Sequence, residues 1–336
     1  MITVKVTTSN QHLPDIFLRQ TPGRKGIWGG CHFIINKPIE RCDWWVICHK
    51  SAIRDLEVTN CDPAHIVYIS MEPTEGLTPD IFFKQFRKLI LCDRSVSHPD
   101  ITYANGTTWW TGIQVKFDDG HNFLPTISHD YDSLSSMYPP PKKNRISVIC
   151  SNKNWFPGHK KRLQFLEKLQ QHPVAEYIDF YGGGHNHILD KLDAILPYKY
   201  HLVLENSNIE NYWSEKIGDP LLGFALPIYY GCPNINEYLP DNSFIKIDID
   251  NFKETVAILE KSIREDIYSQ HLPAIIEARK MILQKYNIFQ LMADVCKQSA
   301  TEYLPCSVMP PGQLGWSWQR RLARRMYHKF RKYLLN

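Results

Sequence analysis

The chain has 336 residues, 43% of them apolar and 22% charged, enough for two globular domains of about 150 residues, each with its own core. No apolar run approaches the roughly 20 residues that span a bilayer, and nine scattered cysteines without a Cys-x-x-Cys pair argue for reduced thiols against a disulfide framework or a zinc site. The net charge of +4 is uneven: residues 313–336 hold seven Lys/Arg and no acid, leaving 32 basic against 35 acidic residues elsewhere, which excludes a general nucleic-acid face on the body.

In chain order, residues 2–6 read as a first strand and not as a signal peptide, since a charged n-region and a long apolar h-region are both missing. Short β-branched or aromatic runs at 44–48, 66–70 and 89–92 predict further strands, with a helix over 79–86. Residues 98–135, rich in Pro, Gly, Asp and Thr, read as loop, and Trp109-Trp110 fits no pattern within it. Pro139-Pro140-Pro141 predicts a stiff connector and a domain boundary. Beyond it come a strand at 146–150, a helix near 158–169 buried through Leu163, Leu166 and Leu169, and a strand at 177–181 ending in Gly182-Gly183-Gly184. A helix at 188–196, a strand from 198, a helix opened by Ser214-Glu215-Lys216, strands at 226–230 and 244–247, and a mostly helical 253–298 complete the pattern. This alternation predicts the α/β class, with parallel sheets covered on both faces. The expected domains are 1–141, 142–305 and a basic tail at 306–336.

Residues 198–231 carry the densest chemistry. Two apolar strands end in polar turns, and a carboxylate, an amide, a phenol and an ammonium crowd between them. Strand ends and helix starts are where ligands sit in doubly wound sheets, so the stretch outlines an anionic-ligand site.

The same stretch, continued through residues 238–245, resembles the donor-binding signature of the glycosyltransferase family 10 fucosyltransferases, in the form of the bacterial α-1,3/4 enzymes. The family's Tyr-Lys-Phe start, Phe-Glu-Asn strand end, Tyr-x-Thr-Glu-Lys turn, Ile-Pro-Ile strand and Pro-x-x-Ser-Phe-Ile strand stand here as Tyr198-Lys199-Tyr200, Leu204-Glu205-Asn206, Tyr212-Trp213-Ser214-Glu215-Lys216, Leu226-Pro227-Ile228 and Pro240-Asp241-Asn242-Ser243-Phe244-Ile245. Leu204 replaces the usual Phe and Ser214 the usual Thr. Ser151-Asn152 and Arg162 are similar to the family's Ser-Asn strand end and helix arginine, while the amino-terminal half matches weakly.

The resemblance implies a GT-B architecture: two Rossmann-like domains with a cleft between them, the first facing the acceptor and the second binding GDP-fucose. It implies an inverting enzyme that moves L-fucose to a glycan hydroxyl, in an α1,3 linkage, with no metal or other cofactor. Lys216 and Arg162 would then offset the negative charge of the departing diphosphate, aided by helix amino termini. Glu215 would accept hydrogen bonds from the ribose, with Asn206, Tyr212, Ser151, Asn152 and Glu205 in the same pocket. Glu205 also reads as a buried acid tying loops together. The general base would be Glu72, in a Tyr68–Pro73 segment similar to the family's Tyr-x-Gly-Glu-Asn, with Glu75 as its competitor.

Other signals carry less. Asp248-Ile249-Asp250 is short enough to arise by chance and is not assigned to a metal; His185 and His187 lack a third ligand at useful spacing. The glycines at 182–184 allow close approach of a donor, and Trp44-Trp45 reads as core. In the tail, Trp316, Trp318, Leu322, Met326 and Phe330 fall on one half of a helical wheel, and Arg320, Arg321, Arg324 and Arg325 on the other. That is the pattern of a helix in an anionic membrane interface. The expected location is therefore the cytoplasmic side of the cytoplasmic membrane, with lipopolysaccharide or another surface glycan as acceptor. The alternatives are a transferase of a different nucleotide sugar and a non-catalytic, membrane-associated glycan-binding protein.

Overall fold

The computed structural model describes residues 1–9, 14–76, 78–104, 108–117 and 123–314. Their strands are, in order, β1 Ile2–Thr8, β2 Ile27–Trp28, β3 Cys31–Ile35, β4 Trp44–Cys48, β5 Glu57–Cys61, β6 Ile66–Ile69, β7 Lys88–Leu91, β8 Ile101–Tyr103, β9 Ile113–Phe117, β10 Phe123–Ile127, β11 Lys143–Cys150, β12 Ile178–Gly182, β13 Tyr198–Leu204, β14 Leu226–Tyr230, β15 Ile245–Lys246 and β16 Leu304–Val308. The helices are α1 Pro14–Leu18, α2 Asp80–Phe83, α3 Tyr131–Ser136, α4 Pro157–Gln170, α5 Glu215–Leu222, α6 Phe252–Glu265, α7 Tyr268–Leu283 and α8 Ile288–Val295.

Two compact units result. The first takes the described residues of Met1–Asp15, Gly26–Asn105 and those from Phe289 onward; the second takes Ile16–Lys25 and Gly106–Ile288. In the first, seven strands run in the order β2-β3-β1-β4-β6-β7-β8, parallel throughout except for β2. All five residues of β4 are buried, as continuous apolar strands of a doubly covered parallel sheet must be. Trp44-Trp45 is core as expected: Trp45 is fully buried under the Lys5 ammonium, and Trp44 stacks on His65 at 3.9 Å. The helix expected at 79–86 shrinks to the four residues of α2, whose Phe82 and Phe83 pack edge-on against Tyr68.

The second unit holds a parallel sheet in the order β12-β11-β13-β14-β15. Its core joins β11, β13 and β14 to α5 and α7 through residues such as Tyr200, Leu202, Ile217, Leu221 and Ile282. The helix expected at 188–196 is a single 3-10 turn, Lys191–Ala194, whose capping carboxylate is Asp190. The segment read as loop contains the antiparallel pair β9–β10, and Trp109 within it is buried, with its carbonyl accepting from Arg19 Nη2 at 2.6 Å.

The boundary expected after residue 141 is not where the chain divides. Residues 108–112 are tied into the second unit by carboxylates: Asp219 accepts from the amides of Trp110 and Thr111, and Asp190 from that of Gly112. Residues 304–308, expected with the second domain and the tail, form β16 and pair with β5 of the first unit. Both halves are nonetheless parallel α/β units of Rossmann type, the pair of domains that a GT-B architecture requires. The expected amphipathic helix, with Trp316, Trp318, Arg320, Arg321, Arg324 and Arg325, lies outside the described residues. No helix among those residues is long and apolar enough to cross a membrane.

Candidate functional site

The site is built where β13 ends. The strand is buried from Tyr200 to Leu204, and the next side chain, Glu205, is 1% exposed. A carboxylate so placed must be met by donors. Glu205 Oε1 accepts from the Ser214 amide and hydroxyl, both at 2.8 Å, and Oε2 accepts from Lys216 Nζ at 3.2 Å. Ser214 in turn caps α5, its Oγ accepting from the Lys216 amide at 3.3 Å. One acid thus fastens strand end, helix cap and lysine together.

α4 starts against the same strand end. A Cβ on Gly158 would fall 1.8 Å from the Asn206 carbonyl oxygen, so the first turn reaches β13 only because residue 158 has no side chain. One turn on, Arg162 is 4% exposed and donates Nη1 to Asn206 Oδ1 at 2.7 Å, while Nη2 lies 3.4 Å from the Ser151 carbonyl and hydroxyl.

Between α4, β13 and α5 lies a cavity of about 380 Å³, onto which Ser151, Arg162, Asn206, Glu215 and Lys216 all face. The structure therefore gathers five of the expected residues. Glu205, Tyr212 and Asn152 do not line it. Glu205 stands behind the wall as the buried acid holding Lys216, Tyr212 is buried, and Asn152 is exposed, with its amide against Gly183. Gly182 and Gly183 serve that packing, because a Cβ on Gly182 would lie 2.2 Å from the Cys150 carbonyl oxygen and one on Gly183 2.6 Å from the Asn152 amide nitrogen.

Among the lining residues that were not anticipated are His159, Lys191 and Asp219. Lys191 Nζ bridges Glu215 at 3.3 Å and Asp219 at 2.8 Å. Burial pushes the Glu215 carboxyl up, but Lys191 and then Lys216 outweigh it and hold it down at about 2. Burial raises Asp219, against the pull of Lys191. For Lys216 burial works downward, and Glu205 with Glu215 more than reverses it. Alternating charges thus keep Glu215 an acceptor and Lys216 a cation. A signal was present, since Glu215 and Asp219 are one turn apart in α5 and Asp219 interrupts an apolar run. His159 and Arg162 likewise share a face of α4 at three-residue spacing.

In the first unit, Glu72 and Glu75 have different surroundings. Glu72 is exposed beyond β6, its amide donating to Ser70 Oγ at 3.3 Å. Glu75 is 2% exposed, accepts from Tyr68 Oη at 2.9 Å and pairs with Lys50 at 3.5 Å. Glu75 is committed to packing, and Glu72 is open. The Asp-x-Asp pair is engaged locally, with Asp250 paired to Lys161 and Asp248 Oδ1 accepting from the Asp250 amide at 3.0 Å. Among the described residues, no three His, Cys, Asp or Glu side chains gather as metal ligands.

Comparison with known proteins adds an independent finding. Residues 139–289 match the sequence model of the glycosyltransferase family 10 (fucosyltransferase) C-terminal region. A putative fucosyltransferase-like protein of Arabidopsis thaliana is 34% identical over 132 residues, covering 38% of this chain and 25% of that protein. A GDP-fucose protein O-fucosyltransferase 3 of Xenopus tropicalis is 31% identical over 106 residues, covering 27% of this chain and 22% of that protein. The chain thus spans about a quarter of the length of these relatives. Among solved structures, an α1,3-fucosyltransferase with GDP aligns with 86% of this chain and 92% of its own, at 17% identity and a TM-score of 0.46.

Proposed function

We propose, from the match of residues 139–289 to the glycosyltransferase family 10 (fucosyltransferase) model, that the chain is an enzyme of that family, transferring L-fucose from GDP-fucose to a glycan hydroxyl. In this proposal the reaction inverts the anomeric centre, needs no metal and forms an α1,3 linkage. What carries it is the gathering of Arg162, Asn206, Glu215 and Lys216 on one cavity at the carboxyl end of β13, the edge where ligands bind in parallel α/β sheets. Arg162 and Lys216 would donate to the diphosphate as its charge grows, in place of a metal. Glu215, held ionised by Lys191 and Lys216, would accept from the ribose hydroxyls. Glu205 would act through Lys216. Glu72 is the proposed base for the acceptor hydroxyl.

A thermal-shift screen of nucleotide sugars tests the donor, because only a true ligand stabilises by mass action. GDP-fucose should stabilise the protein, and transfer to lactosamine-type or lipopolysaccharide-type acceptors should persist in EDTA. Stabilisation by another nucleotide sugar alone would move the assignment to that sugar, and stabilisation by none would favour a glycan-binding protein without catalysis. For residues 316–325 the proposal is attachment to an anionic cytoplasmic membrane face through Trp316, Trp318, Arg320, Arg321, Arg324 and Arg325. Truncation after Pro311 should then release the protein from anionic liposomes and leave GDP-fucose binding intact.

A further inference from the structure

The cavity of the second unit contains a titratable side chain to which the donor proposal gives no role. His159 sits in the first turn of the 14-residue helix α4, lines the cavity and is 7% exposed. Its Nδ1 is buried with no hydrogen-bond partner among the described residues, and the same holds for Nε of Arg162, one turn further on. No side chain caps the amino end of α4, whose residue before the helix is Phe156. Two residues that line one cavity beside uncapped helix amides, each with a buried nitrogen that lacks a partner, call for acceptor oxygens from a ligand.

The charges around His159 are all of one sign. Arg162 lies on its own helix, Lys153 on the loop after β11, and Lys216 on α5. The chain just past β13 contributes Asn206, which is uncharged, and Glu205, which is already paired with Lys216, while β13 itself places His201 on the cavity, held neutral by burial, Lys191 and Lys142. The ring of Phe156 is 5.5 Å away and offers no acceptor. Burial, then Arg162, Lys153 and Lys216, push the imidazole below its ordinary range, so these surroundings favour its neutral form. An anion carrying two negative charges opposes all of these effects.

We propose that His159 takes up a proton from water as the diphosphate of the nucleotide sugar enters the cavity, donates to it as an imidazolium, and returns the proton when the nucleoside diphosphate leaves. The inference rests on the donor proposal, and it makes His159 a pH-dependent component of donor affinity. Release of product becomes easier as pH rises, and capture of donor becomes tighter as pH falls.

Calorimetry with GDP-fucose tests this directly, because its diester diphosphate does not itself titrate near neutrality. Titrations near neutral pH in phosphate and in Tris, buffers of very different ionisation enthalpy, should differ in heat by an amount that reports net proton uptake. Affinity should rise by up to about tenfold per pH unit as pH falls between the free and bound pKa values of the imidazole. In His159→Gln, which keeps a polar group but cannot titrate, both the buffer difference and the pH slope should vanish. Binding with no proton uptake by the unaltered protein would overturn the inference and leave the donor proposal standing. Uptake that persists undiminished in His159→Gln would also overturn it. Absence of any GDP-fucose heat would instead sink the donor proposal.

Discussion

Acidifying the solution should destabilise the second unit through His201, well before its carboxylates protonate. His201 lies on β13 opposite Ser147 of β11, is 5% exposed, and its Nδ1 is 2.8 Å from the Ser147 hydroxyl. Burial, then Lys191 and Lys142, lower its pKa from 6.5 to about 3. Protonation therefore favours the unfolded chain. The contribution is fully present above the unfolded pKa and is lost as pH falls toward the folded one. Between about pH 7 and about pH 5 the linkage costs about 2 kcal/mol, a large share of the 5–15 kcal/mol that typically holds a protein folded. The assay is urea unfolding at half-unit pH steps, comparing the parent with His201→Asn. The substituted amide can still meet Ser147 but cannot charge. Stability of the variant should fall about 2 kcal/mol less across that range, whatever its absolute value. His159 and His49 are also lowered by burial and act in the same direction, but they are common to both proteins and cancel in the difference. Parallel pH curves for parent and variant would refute the reasoning and show that His201 is charged, or that its site opens to water.

Gly158→Ala should displace the start of α4, since its new methyl would meet the Asn206 carbonyl oxygen at 1.8 Å. Overpacking of this kind costs about 1–3 kcal/mol, and GDP binding measured by calorimetry should weaken disproportionately. Lys216→Ala leaves Glu205 buried without its cation, a loss of about 3–5 kcal/mol by chemical denaturation. Adding Glu205→Gln should recover most of that stability while GDP binding stays absent, which separates the structural part of Lys216 from its ligand part. Asp219→Asn keeps an acceptor for the Trp110 and Thr111 amides but removes the charge facing Lys191. A stability loss of about 2 kcal/mol, with a smaller effect on GDP affinity, is the expected result. Glu72→Ala should spare donor binding and abolish transfer in a product assay, whereas Glu75→Gln should lower the melting temperature, because it removes the buried charge that pairs with Lys50.

The strands were legible because continuous apolar runs such as 44–48 and 226–230 admit little else, and Ser214-Glu215-Lys216 announced α5 by its cap. The extent of the units was not legible. Pro139-Pro140-Pro141 breaks local structure, as the sequence suggests, but residues 110–112 are held in the second unit by two distant carboxylates, Asp190 and Asp219, that accept from their backbone amides. Such pairings leave no periodic trace. The five lining residues could be named from their motif, and Glu205 could be read either as a ligand or as a buried tie, whereas Lys191 shows its role only when distances are known. A motif records which residue types are present, not which of them face the ligand and which hold the others in place.

The pairing of β16 with β5 has a consequence for the order in which the chain matures on the ribosome. Cys306 Sγ meets the Cys61 carbonyl across 245 residues of sequence. Everything in the second unit has been synthesised once Ile288 is made, while the first unit still lacks α8 and β16. The usual progression, in which the amino-terminal domain folds first during synthesis, is therefore inverted here. Until the last described strand emerges, β5 presents a bare edge flanked by the exposed Leu56 and carrying the exposed Val58, a template for mispairing with other nascent chains. Ribosome stalling or premature termination before Leu304 should yield a folded second unit attached to an aggregation-prone first one.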